Sequence, residues 1–541
     1  MTDLETDVVA LGAGLGGLVC ALVAHDAGLN AIVVEKSQRV GGVTALSGGH
    51  VWVPGNRIAQ EAGIEDSWRA GADYIERIGA GTADRSLLEA LLVNALDAYV
   101  YLEERTALRW KLISLADYYA ETEAGAPIGR YLEVGPLSAA GLGEWQACSR
   151  RGALFPDRMM FEEMLRMRRY GEMVDPEVMV AREASDIRCG GAAIAVGLIA
   201  ALMERGVPIL TGVYATELTR DRVTGRITGL RAVRDGRAMA ITARRGVMLA
   251  TGGYDRNADL VRRQDRLARY GSAAHAAVTG DALSLAGVHG ARTAHSAKPF
   301  LLGICVPGEV DDECAPRWRV VSPHPHSIFV NSAGRRFADE AHYVSVSHAL
   351  QVVDGRTQER PNLPAFLICD RRYREQYDLA GFAAADDLPD QVVQAGSLDE
   401  LGSALGIASS TLTATVEEFN QFVRGGRDPH FHRGESLYDR RMLPPDAGPA
   451  DTFGSIAEPP FFGVRLDPVG MGFGSTGLVG DAVGRVSDWN DEPIEGLYAA
   501  GNALAMREIG SGYQSGFANM RGMTYGYAAA RDMAGLGVSA R

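Results

Sequence analysis

The sequence predicts an α/β fold in two domains. Three observations carry this: an apolar run ending in a glycine-rich turn, a second apolar run closed by an acid, and a change of character midway along the chain. At 541 residues the chain is long enough to bury more than one core. Asp7-Val8-Val9-Ala10-Leu11 reads as a buried strand, and the turn Gly12-Ala13-Gly14-Leu15-Gly16-Gly17 sets glycines at Gly12, Gly14 and Gly17. Leu18 to Ala27 carries helix formers, and Ala31-Ile32-Val33-Val34-Glu35 is a second strand ending in a carboxylate. The first glycine permits the tight turn, the second lets backbone approach a pyrophosphate, and the third packs helix against strand. The helix N-terminus holds phosphate charge, and an acid about 20 residues on, here Glu35, reaches ribose hydroxyls. A glycine pattern alone is weak evidence, but strand, turn, helix and acid in this order predict a dinucleotide site.

Gly41-Gly42-Val43-Thr44-Ala45-Leu46-Ser47-Gly48-Gly49-His50 forms a second glycine-rich loop, and Ser67 to Glu104 turns helical. Ala192 to Arg205 is expected as a helix and Val207 to Leu210 as a strand. Ile227 to Val233 and Met239 to Ala243 alternate like a hairpin. Gly246 to Ala250 reads as a separate buried strand running into Thr251-Gly252-Gly253. From about Gly290 to Pro468 prolines, histidines and aromatics become denser, as in an inserted domain. The expected division is therefore 1–285, 286–468 and 469–541, with a last helix over Gly522 to Ala534. Gly472-Phe473-Gly474-Ser475-Thr476-Gly477 repeats the glycine spacing, but no helical pattern follows it and Asp481 to Asp488 reads as turn and edge strand. It is rejected as a second dinucleotide site, which weakens any case for a nicotinamide partner.

Composition narrows the class further. A net charge of −14 argues against nucleic-acid and anionic-membrane partners. The 65 glycines are scattered, which suits tight turns and close approach to a ligand. Six cysteines lack any C-x-x-C spacing, so metal, cluster and haem sites are unsupported and a reduced compartment is expected. The first strand starts within seven residues and the apolar run Gly190 to Met203 is too short to span a bilayer. A cytoplasmic protein without a membrane span is expected.

Several motifs in order, Gly12-x-Gly14-x-x-Gly17, Glu35-Lys36, Gly41-Gly42, Leu46-Ser47-Gly48-Gly49, Ala250-Thr251-Gly252-Gly253, Thr279-Gly280-Asp281 and Ala499-Ala500-Gly501-Asn502, resemble the fumarate reductase/succinate dehydrogenase flavoprotein superfamily. The resemblance spans nearly the whole chain. It implies a Rossmann-like FAD-binding domain of the glutathione-reductase type, with an inserted α+β domain capping the flavin. Gly42 stands where succinate dehydrogenases carry a flavin-linking histidine, so FAD is expected to be non-covalent. The resemblance assigns to the cofactor Gly12, Gly14, Gly17, Glu35, Lys36, Gly41, Gly42, Thr44, Ser47, Gly48, Gly49, Ala250, Thr251, Gly252, Asp281, Gly501 and Asn502.

Val51-Trp52-Val53-Pro54-Gly55, Asp117-Tyr118-Tyr119-Ala120-Glu121, Gly129-Arg130, Leu142-Gly143-Glu144-Trp145, Asn331-x-x-Gly334-Arg335-Arg336-Phe337 and Gly434-Glu435-Ser436-x-Tyr438-Asp439 are similar to 3-ketosteroid Δ1-dehydrogenases. Where those enzymes have a Tyr-Pro-Gly-Pro-Gly turn, this chain has Tyr513-Gln514-Ser515-Gly516, which looks more like Δ4-(5α) steroid dehydrogenases or dehydrogenases of small cyclic ketones such as cyclohexanone. The resemblance implies a small hydrophobic ketone as substrate, α-proton removal by Tyr343, β-hydride transfer to flavin N5, a carbonyl clamp of the Tyr513 hydroxyl and Gly516 amide, and Tyr118 or Tyr119 supporting the tyrosinate. A ketone α-proton, with a pKa near 20, lies about 10 units above a phenol, roughly 13 kcal/mol, so the enolate oxygen must be stabilised.

Alternatives stay open on these residues. A buried tyrosine is more often core with its hydroxyl tied off, and Tyr438, Tyr525 and Tyr527 are expected to be structural. Arg335-Arg336 fits either a substrate-carboxylate clamp or an ion pair with Asp339 or Glu340. His324, His326 and His342 lack metal-ligand spacing. An enoate reductase of fumarate-reductase type would need arginine where Tyr513 stands, and a non-catalytic flavin sensor is a further rival. With no second nucleotide motif, the electron acceptor is expected to be an external quinone-like molecule or oxygen.

Overall fold

The computed structural model describes residues 2–152, 157–311 and 313–538. Thr2–Leu11 lies at the centre of an eight-stranded sheet, parallel to Ala31–Val34 on one side and Arg237–Leu249 on the other. Ile209–Leu210 and Pro493–Ala499 extend the parallel set outward, and Arg485–Ser487 closes one edge antiparallel. The helix Leu15–Asp26 packs against both Gly190–Glu204 and the last helix, Phe517–Met533. Its first ten residues are all buried, as expected of a helix that is apolar all round. Phe517–Met533 starts five residues before the expected Gly522. Gly522 instead serves packing, facing Leu15, while a Cβ on Gly526 would sit 2.5 Å from the Gly16 carbonyl.

The expected strands at Met239 and Gly246 are one continuous strand, Arg237–Leu249. Its first half pairs antiparallel with Ile227–Arg234 and its end runs parallel to Pro493–Ala499. Between them the register to the central strand shifts, with Arg244 and Arg245 facing the single residue Asp7. Such a bulge interrupts the apolar pattern without ending the strand. Arg244 spends its charge on Glu5 and Asp7, so the polar break is an exposed ion pair.

The second sheet is built around Phe461–Gly470, which pairs antiparallel with Leu301–Val310, Ala365–Cys369 and Val392–Ala395. Pro316–Val320 and Ser327–Asn331 form its two ends, and Gly271–Ser272 adds a short parallel strand. Alternation sorts the residues of Ser327–Asn331. Ile328 and Val330 join Leu401, Leu412 and Phe419 of the covering helices, while Phe329 joins Leu367, Val464 and Leu466 on the opposite face. The chain crosses between the sheets on either side of this unit. The crossings are tied by buried Asp255, which takes Lys298 Nζ at 2.6 Å and the Gly472 N–H. After Gly472-x-Gly474 the chain enters the strand Thr476–Leu478, paired with Thr293–His295, not a helix. No helix among the described residues is long and apolar enough to cross a membrane.

Candidate active site

One continuous cavity of about 600 Å³ runs from the glycine turn to the second sheet. At its first end the wall is mostly backbone. Gly12 has φ +110°, and a Cβ there would meet the Ala250 carbonyl at 2.3 Å. Gly14 begins the helix Leu15–Asp26, whose N-terminus carries no side-chain cap and whose first turn has no acid, leaving a bare anion-binding helix end. Gly42 packs directly on Gly14 at the cavity wall, where a Cβ on it would fall 2.8 Å from the Gly14 Cα. The two backbones can touch there only because Gly42 carries no side chain. Gly17 and Gly41 stand behind the wall: a Cβ on Gly17 would lie 1.9 Å from the Gly12 carbonyl, and one on Gly41 would press on Ala45.

The polar groups of this end are held in place. Glu35 takes the Ala13 N–H at 2.8 Å and the Ser37 N–H at 2.9 Å, and burial pushes its carboxyl up. Lys36 bridges Thr279 and Asp281. Thr44, Ser47, Gly48, Gly49, Ala250, Thr251, Gly252 and Gly501 complete the lining. Asn502 donates to the Gly472 carbonyl at 3.1 Å, and its buried Oδ1 has no partner among the described residues. An uncapped helix end, a bare glycine wall and an orphaned amide oxygen fit a dinucleotide such as FAD.

The second end is made of phenols. Tyr118 stacks on Tyr438 with ring centroids 3.9 Å apart and lies 5.6 Å from Tyr513; Tyr343 lies 5.2 Å from Tyr513. All four line the cavity. The buried Tyr343 hydroxyl has no hydrogen-bond partner among the described residues. Tyr343 opens the helix Tyr343–Ala349, capped by His342. The His342 Nδ1 accepts the Ser345 N–H, which leaves Nε2 to donate to the Tyr118 carbonyl at 3.0 Å. One imidazole therefore fixes Tyr118 against Tyr343.

Tyr513 is set by its neighbour. Gln514 is buried and takes the Tyr74 hydroxyl at 2.7 Å, while its amide donates to Asp117 at 2.8 Å and Tyr131 at 2.6 Å. Asp117 also holds Trp52 and Arg130, and burial raises its carboxyl to about 6. Gly516 follows at φ +78°, where a Cβ would crowd the Trp52 backbone at 2.9 Å. It begins the 17-residue helix Phe517–Met533, so the positive end of that helix faces the cavity beside Tyr513.

Burial drives the Tyr118 and Tyr343 phenols well above their ordinary range and also raises Tyr438 and Tyr513. Arg441, 4.0 Å over the Tyr438 ring, draws that phenol back down. His50, on the same wall, is held neutral by burial at about 4. The quartet is thus protonated at neutral pH. It can donate to a carbonyl oxygen, and it ionises only at alkaline pH.

Two expectations need correction. Tyr119 does not line the cavity; it packs against the phenol cluster from outside, its ring 5.0 Å from His342. Tyr438, read as structural, stands in the phenol wall, and only the Tyr-Asp pair after Gly434-Glu435-Ser436 marked its neighbourhood. Gln514 and His342 were also missed as positioning groups, and nothing local in the sequence signals them. Arg336 pairs with Glu340 and Asp428 at 2.7 Å, so it is structural. Tyr525 bonds Glu508 and Tyr527 packs on Tyr101. Arg521 is buried against Glu508 and three carbonyls.

The chain is 32% identical to a 3-oxosteroid 1-dehydrogenase of Mycobacterium tuberculosis over 99% of each chain. It is 30% identical to a 4-oxocyclohexanecarboxylate 2-dehydrogenase of Sinomonas cyclohexanicum, over 98% of this chain and 93% of that one. The solved structure of 3-ketosteroid delta1-dehydrogenase from Sterolibacterium denitrificans, in complex with 1,4-androstadiene-3,17-dione, superposes with a TM-score of 0.89 at 29% identity, covering 98% and 99% of the two chains. The family described as FAD binding domain matches residues 7–519, and this chain belongs to it: it is a flavoprotein oxidoreductase.

Proposed function

We propose that this chain desaturates a cyclic ketone next to its carbonyl, as a 3-ketosteroid Δ1-dehydrogenase does. The observation that carries the reading is the buried, unpartnered Tyr343 hydroxyl set against Tyr513 on the cavity that the glycine turns also line. When bound, FAD supplies the hydride acceptor for the β-carbon. Tyr513 O–H and the Gly516 N–H grip the ketone oxygen, and enolate charge forms at the positive end of Phe517–Met533, each donor contributing about 3–4 kcal/mol. Tyr343 takes the α-proton as phenolate, and Tyr118 supports that phenolate from the stacked pair with Tyr438.

The finer organisation belongs to the same reading. Residues 1–285 and 469–541 form a Rossmann-like, glutathione-reductase-type domain holding FAD without a covalent link, and residues 286–468 cap it. The electron acceptor is an external quinone-like molecule or oxygen, and the compartment is cytoplasmic. Enoate reduction of fumarate-reductase type is disfavoured because a phenol stands beside the Gly516 turn and Arg521 is committed to Glu508. Desaturation of a small cyclic ketone uses the same groups and gains support from the likeness to the Sinomonas enzyme. A dye-coupled assay on androst-4-ene-3,17-dione, a 5α-3-ketosteroid and cyclohexanone separates these substrates. Turnover of at least one is expected; turnover of fumarate alone would overturn the reading.

A further inference from the structure

Three cationic side chains stand on the cavity wall: Lys36, Arg433 and Arg441. Two are neutralised. Lys36 pairs with Asp281 at 2.8 Å. Arg433 is buried against Glu340 and donates to the Ser327 and Thr452 carbonyls. Arg441 is different. Among the described residues it makes no ion pair, and its hydrogen bonds run from one nitrogen, Nη1, to the carbonyls of Ala341 at 3.2 Å and Tyr438 at 2.9 Å. Its Nε and Nη2 are left without a bond there.

The nearby carboxylates do not answer this charge. None of them makes an ion pair with Arg441 among the described residues: Glu340 holds Arg336 and Arg433, Asp439 accepts the Gly434 and Ser436 amides at Oδ2 while its buried Oδ1 has no partner there, and Asp451 accepts the Gly448 amide. A partly buried guanidinium without a counter-charge is costly unless a ligand completes it. Its two open nitrogens form the planar fork that matches a carboxylate. Arg441 sits on Tyr438, Tyr438 on Tyr118, and Tyr118 beside Tyr513. The carbonyl clamp and the unpaired cation therefore stand at two ends of one aromatic wall.

We propose that the substrate is a keto acid, a cyclic ketone bearing a carboxylate remote from its carbonyl, and that Arg441 binds that carboxylate. The inference rests on the ketone-desaturase reading and fixes the charge of its substrate. Two acid–ester pairs test it: 4-oxocyclohexanecarboxylate with its methyl ester, and 3-oxoandrost-4-ene-17β-carboxylate with its methyl ester. For the ring system that is turned over, the acid should exceed the ester in kcat/KM by about 10- to 100-fold, the range of a charge-assisted contact. Arg441→Gln should bring that ratio near one by raising KM for the acid far more than for the ester, and Arg441→Lys should restore part of it. Equal wild-type values for acid and ester would overturn the proposal. So would an Arg441→Gln variant that keeps the full wild-type preference for acid over ester. Calorimetric binding of the same acids to the FAD-loaded protein separates the two readings. Arg441-dependent binding without turnover keeps this inference and sinks the desaturase, whereas turnover without acid preference does the reverse.

Discussion

The two ends of the cavity are built on opposite principles. The glycine end is a backbone site: Gly12, Gly14 and Gly42 shape it by having no side chains, and its acid, Glu35, is pinned by two amides. The phenol end is a side-chain site whose members, Tyr118, Tyr343, Tyr438 and Tyr513, come from four distant segments. Binding a large, constant ligand needs shape, which glycine turns and a helix end supply largely from backbone. Moving a proton needs groups converging from several directions, which only the whole fold supplies. The two ends should therefore fail differently when altered.

The largest effect is expected at the phenol end. Tyr343→Phe removes the proton acceptor and should lower kcat about 10²- to 10⁴-fold with flavin content unchanged, as read by the dye-coupled rate and the 450 nm absorbance. Tyr513→Phe removes one carbonyl donor and should cost about ten- to a thousandfold in kcat; full activity would take Tyr513 out of the mechanism. Gly14→Ala should break the other end selectively. Its Cβ meets only the Gly42 Cα, at 3.8 Å, so the fold has room for it. The added methyl narrows the cavity at the helix end, and FAD affinity should drop about 10- to 100-fold at unchanged apoprotein melting temperature. The smallest contrast separates neighbours: Tyr438→Phe should slow turnover up to about tenfold by loosening the pair with Tyr118, while Tyr119→Phe, off the cavity, should fall within about twofold. Equal effects from these two would erase the distinction between wall and flank.

This difference also decides what could be read in advance. Gly12, Gly14, Glu35 and the first β-α-β unit are legible because their geometry is local and tied to spacing. The same holds for the rejected Gly472–Gly477, where the missing helix was visible in the pattern. The continuous Arg237–Leu249 was hidden by Arg244 and Arg245, whose polarity belongs to a bulge and an ion pair with Asp7. Tyr343, Tyr513 and Gly516 were reached through family resemblance, not spacing. Tyr118 and Tyr119 stayed alternatives because two adjacent tyrosines after Asp117 look alike in sequence, and only the fold shows that Tyr118 lines the cavity, beside Tyr438. Gln514 and His342 act through contacts hundreds of residues away in the chain, where no local signal exists.

The account stands or falls on Tyr343 acting as phenolate. Burial raises that phenol well above its ordinary range, so below its pKa the reactive fraction grows tenfold per pH unit. Single-turnover flavin bleaching at 450 nm, after anaerobic mixing with a ketone that the enzyme turns over, should quicken about tenfold per pH unit from pH 7 to 10 in the wild-type protein. In Tyr343→Phe it should be slow and flat. An equally steep pH profile in Tyr343→Phe would contradict the assignment.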